Sequence, residues 1–133
     1  MTKKEALQIL AILKAAYPAS YNNMTKEEAS GTVAVWCMQF AEMPVDIVLM
    51  AVHKLIATNK FPPSVAEVKD KISTIHWEAH NALSDGERYG NLSEKAKSQY
   101  QRIYELTDSC RVGIGYEPKI TQMMSGQLLL GGE

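Results

Sequence analysis

Apolar residues recur along most of this chain at spacings of three and four, the period of one helical face. Nowhere do they keep up the period of two that marks a half-buried strand. Three stretches open with a hydroxyl residue and a Glu three places on: Thr2 with Glu5, Thr25 with Glu28, and Ser64 with Glu67. In such a capping box the hydroxyl accepts from an orphan amide of the first turn, and the carboxylate reaches back to the amide of the capping residue. The first helix is therefore predicted from Lys3 to Tyr17, where Pro18 stops it, with Ala6, Ile9, Leu10, Leu13, Ala16 and Tyr17 on its inner face. A second is predicted from Lys26 to about Glu42, burying Ala29, Val33, Trp36, Cys37 and Phe40. Pro44 suits the first position of a third helix, where its missing amide costs nothing. That helix carries Val45, Val48, Leu49, Val52, Leu55 and Ile56. After a connector from Thr58 to Pro63, held extended by Pro62-Pro63, a fourth helix follows Ser64 with Val65, Val68, Ile72, Ile75 and Ala79 inward.

The pattern loosens at Ser84-Asp85-Gly86, and a fifth helix with a sparser stripe is predicted from Leu92 to about Thr107. Beyond Cys110 the composition shifts: five of the eight glycines lie between Gly113 and Gly132, and no stripe survives. The expected fold is all-α, with a four-helix N-terminal bundle over residues 1–83. A linker and fifth helix follow over 84–109, and a mobile C-terminal tail over 110–133. At 133 residues the chain has room for one domain with an appendage.

Charge narrows the function. Fourteen Lys and Arg against fifteen Asp and Glu give a net charge of −1, without the basic excess of a protein that lives on phosphate contacts. The longest apolar runs, Val33 to Met38 and Ile47 to Val52, are six residues each, far short of a membrane span. The basic start Thr2-Lys3-Lys4 is not read as a secretion signal, because Glu5, Gln8 and Lys14 interrupt the apolar stretch behind it. Cys37 and Cys110 show no metal-type or redox spacing, which suits a reducing cytoplasm.

Catalytic chemistry finds little footing. No Gly precedes a Lys, so there is no P-loop, and Gly113-Ile114-Gly115 lacks both the third glycine and the preceding strand of a dinucleotide fold. His76 and His80 are four apart, a spacing that places two imidazoles on one helical face. The Glu of a metalloprotease motif directly follows its first His, whereas Glu78 lies two residues on, roughly 200° around the helix. His53 belongs to another helix, and the pair reads as a partly solvated face rather than a zinc site. Cys37 falls in a core stripe, and Cys110 has no neighbouring His to activate it. No cofactor, metal or catalytic residue is assigned. An alternative, a small helical DNA-binding regulator, rests on Lys54, Lys60, Lys69 and Lys71. Glu67 and Asp70 interleave with these, and the double-proline connector is longer than a helix-turn-helix turn.

Once each helix has one core stripe, apolar residues remain. Leu7 and Ile12 lie off the stripe of the first helix, Val35 and Met38 off the second, Ile47 and Met50 off the third. Such residues either widen the core face or, where exposed together, make a surface for a partner protein. Met123, Met124, Leu128, Leu129 and Leu130 add a second cluster suited to docking. Leu7, Ile12, Ile47 and Met50 on the bundle, with the five tail residues, are the candidate contacts.

Certain runs match a known family in type and spacing. They are Met1-Thr-Lys-Lys-Glu-Ala6, Ala15-Ala-Tyr-Pro18, Asn23-Met-Thr-Lys-Glu-Glu28, and Ala51 through Val68 with Lys60-Phe61-Pro62-Pro63-Ser64 at its centre. Over about residues 1–75 the chain resembles the bacteriophage replicative helicase loader/inhibitor family. The resemblance implies a small non-enzymatic protein that binds the hexameric replicative helicase, preferentially in its ATP-bound form. It further implies that the helicase is held inactive until a phage initiator at the origin receives it, in the cytoplasm of an infected bacterium. A protein without a phosphate-binding loop acts on such a ring only through differential affinity for its states. Phe61, Pro62, Pro63 and Ser64 match the family motif, and their chemistry, a connector and a cap, reads as architecture.

Overall fold

The computed structural model describes residues 1–109. The expected tail, with Cys110 and the cluster from Met123 to Leu130, lies outside the described residues. Six helices account for the described chain, and no strand occurs among its residues: α1 (Lys3–Ala16), α2 (Pro18–Tyr21), α3 (Lys26–Gln39), α4 (Val45–Thr58), α5 (Val65–Tyr89) and α6 (Glu94–Asp108).

The caps form as the sequence suggests, with differences in detail. The boxes at Thr2 and Ser64 are reciprocal, whereas at α3 the Thr25 hydroxyl accepts from Glu28 N–H at 3.1 Å and only that half is made. Pro18 ends α1 and also opens the four-residue α2, which the periodicity does not foretell; proline blocks a helix interior but fits its first turn. Helix α3 stops at Gln39, earlier than expected, and Phe40 and Met43 turn into the core from the bend that follows. Pro44 is the N-cap of α4, one place outside its first turn, and its carbonyl accepts from Ile47 and Val48 N–H.

Two elements depart further from expectation. Helix α5 runs unbroken through Ser84-Asp85-Gly86 and ends only at Gly90, whose φ of 63° is the left-handed cap conformation that glycine adopts without penalty. Helix α6 begins at Glu94, two residues later than expected, under a fourth hydroxyl cap: Ser93 Oγ accepts from Ala96 N–H at 3.2 Å.

The core sits between α1, α3, α4 and the first half of α5. Ile9, Leu13, Phe40, Ile47, Val48, Val52, Val68 and Ile72 are fully enclosed, each burial contributing about 1.5–3 kcal/mol. Helix α4 is packed from several sides, touching α1, α5 and α6, while α6 lies chiefly along α5. No helix of the described residues is long and apolar enough to cross a membrane.

Candidate functional site

The connector between α4 and α5 is held at both ends by a chain of hydrogen bonds. Tyr17 Oη, at the end of α1, donates to Asn59 O at 2.9 Å, and Asn59 Nδ2 donates to Glu67 Oε2 at 3.0 Å. Glu67 Oε1 accepts from Ser64 N–H at 3.1 Å while its own amide donates to Ser64 Oγ at 3.1 Å. The backbone bond from Ser64, followed by the side-chain bond from Asn59, holds the Glu67 carboxyl below its ordinary pKa. Pro63 is buried and Pro62 half-buried.

Phe61 is placed differently. Its ring is 69% exposed, with Lys60 Nζ 5.8 Å from the ring centroid. A large aromatic held outward on a connector fixed at both ends, at little entropic cost, is the kind of group that anchors a protein interface. In sequence the whole motif reads as structure; in the fold Phe61 points outward and Pro63 inward.

The other candidates divide. Leu7 on α1 is 49% exposed, and on α3 Val35 (49%) and Met38 (73%), three residues apart, share an outward face. Ile12 and Met50 are half-buried and packed against the core. Ile47 is fully enclosed. The surface expectation fails for Ile47 because α4 is covered by more than one neighbour, so its inward face is wider than a single stripe. Met123, Met124, Leu128, Leu129 and Leu130 lie outside the described residues.

Of the histidine pair, His80 is half-buried, in keeping with a partly solvated face, and His76 is not. His76 is buried, its Nδ1 lies 2.9 Å from Thr107 Oγ1, and its ring stacks on Tyr104 with centroids 4.9 Å apart. Thr107 Oγ1 also lies 2.8 Å from Ile103 O and 3.0 Å from Tyr104 O, so the hydroxyl links the His76 ring to the backbone of α6. Trp77 meets both His76 and His80 edge-on, completing an aromatic clasp between α5 and α6. The pair thus fastens two helices, and among the described residues no group of three or more His, Cys, Asp or Glu is placed to hold a metal ion.

Lys69 Nζ donates to Gln39 Oε1 at 2.8 Å and approaches the Phe40 ring, tying α5 to α3. Lys60 lies beside Phe61, and Asp46 pairs with Arg102 at 3.8 Å on the open surface.

What the described residues offer, then, is a capped helical bundle with an outward aromatic on its connector and several outward aliphatic side chains. Among curated proteins and among solved structures, nothing matches the chain. One family model does match, that of the N-terminal domain of a phage helicase loader/inhibitor, over residues 1–69, from the cap of α1 into the first turns of α5. The chain belongs to this phage helicase loader/inhibitor family.

Proposed function

We propose that this protein binds a hexameric replicative helicase, preferentially in its ATP-bound form, holds it inactive, and helps deliver it to a phage origin, where an origin-binding initiator takes it over. Family membership over residues 1–69 carries this reading; the family is one of regulators rather than enzymes. A regulator of this kind shifts the ring between states only as far as it binds one state more tightly than the other. The contacts are assigned to Phe61 and the outward residues Leu7, Val35 and Met38 on the bundle, and to Met123, Met124, Leu128, Leu129 and Leu130 beyond it. The place of action is the cytoplasm of the infected host, with no membrane and no strong direct hold on nucleic acid, in keeping with the net charge of −1.

The test is co-purification with the replicative helicases of host and phage, with and without ATP. A complex that strengthens with ATP, together with reduced helicase ATPase turnover, is the expected result. No complex, and ATPase activity unchanged at micromolar concentrations of this protein, would end the reading.

A further inference from the structure

Helices α4 and α6 touch only lightly, and along their line two clefts of about 520 and 360 Å³ open side by side. Both are lined by Met50 and Ile103, which makes them one groove. Ile75, Ala79 and Tyr100 line its one end, Ile47 and Leu106 the other. The charges around it balance: Lys54 and Glu78 at the first end, Asp46 and Arg102 at the second. An apolar floor with a neutral rim favours an uncharged apolar occupant, and a methionine in the floor can adapt to its shape.

The chain itself supplies such an occupant. Residues 120–132 contain no charged side chain and carry Met123, Met124 and Leu128-Leu129-Leu130. The attachment point is favourable too. Helix α6 ends at Asp108, within one turn of Leu106 in the groove wall, so the segment is tethered beside the site. Nineteen positions separate Ser109 from Leu128, a reach of up to about 60 Å at roughly 3.3 Å per residue. The stretch of α6 between Tyr100 and Leu106 is only about 9 Å long. The connection is thus long enough to span the groove, and a contact within one chain needs no second molecule.

We infer that the groove between α4 and α6 is the docking site of the chain's own segment 120–132, seated through Leu128, Leu129 and Leu130. This self-contact places the same leucines assigned above to the helicase in a site of their own, which a partner must outcompete. It concerns the isolated protein, so its failure leaves the helicase reading standing, and failure of the helicase reading leaves it standing.

The experiment compares amide spectra of the full chain with those of its L128S/L129S/L130S variant, which changes nothing in the described helices. The expected result is a shift of the Met50, Ile103 and Leu106 amides, with those of Ile9 and Val33 on the far side of the bundle unmoved. In the reciprocal variant Met50→Gln, the signals of residues 128–130 sharpen toward those of a free chain, while the Ile9 and Val33 amides show the fold intact. Unchanged groove amides in the triple variant overturn the inference. So do shifts centred elsewhere, or groove shifts that disappear on dilution, which would place the segment on a second copy.

Discussion

Glu67 shows how much one exposed side chain can organise. It closes the capping box of α5 and receives Asn59, so the same carboxylate that starts a helix also fixes the connector that presents Phe61. Its pKa is lowered on folding, first by the Ser64 backbone bond and then by Asn59. Glu5 is lowered in the same way, with the backbone bond from Thr2 as its largest cause. For a carboxyl whose folded pKa lies below its unfolded one, the added stability is complete above the unfolded value. It is lost as the pH falls through the folded value. Glu67→Gln is therefore expected to melt below wild type at neutral pH, with the difference closing as the solution is acidified through the carboxylate range. Thermal melts across a pH series read this directly; a gap that stays constant with pH would show that the charge of Glu67 contributes nothing.

At the scale of the element, α5 separates two uses of glycine. Gly90 supplies the positive φ that ends the helix. Gly86, four residues earlier and buried, lets the returning chain cross the helix: a Cβ there would lie 2.6 Å from Leu92 Cβ and 2.8 Å from its Cδ2. In Gly31, on α3, the same substitution meets nothing within 4 Å. Gly31→Ala is thus expected to stabilise by about 0.5–1 kcal/mol through helix propensity. Gly86→Ala should destabilise by about 1–3 kcal/mol, since forced overpacking outweighs that gain. Urea denaturation midpoints moving in opposite directions would confirm the distinction; both moving upward would refute the close approach. The same pair explains what could be read from sequence. The starts of α1, α3 and α5 are legible because a cap is a local event, a hydroxyl and an amide within one turn. The run of α5 past Ser84-Asp85-Gly86 is not, because it depends on Leu92 and on α6 packing alongside, contacts that no window of helical spacing contains. His76 looks solvated in sequence for the same reason, its partners Tyr104 and Thr107 lying on another helix.

On the scale of the whole molecule, the family match ends at residue 69, early in α5, while the helix continues to Tyr89 and α6 folds back along it. The chain thus joins the family's bundle to a second packed pair through one continuous helix, fastened by the His76–Thr107 bond. Phe61 lies on the family part, and the apolar cluster Leu128-Leu129-Leu130 follows the appended part. Sequence can list both sets of apolar residues but cannot sort them, since exposure on a helix such as α4 depends on how many neighbours cover it; Ile47 leaves the surface set and Phe61 joins it. If both surfaces grip the helicase, their losses should combine as independent terms, because they stand on separate segments of the chain. Phe61→Ala is expected to weaken helicase binding about tenfold, about 1.4 kcal/mol. Its effect on melting should be small, since the ring is 69% exposed. The L128S/L129S/L130S variant should weaken binding through its own contact, and the combined variant should lose the sum of the two free energies to within about 0.5 kcal/mol. Equilibrium titrations of the four proteins against ATP-loaded helicase measure this cycle. A Phe61→Ala protein that binds as wild type does would remove Phe61 from the grip and leave the connector as architecture.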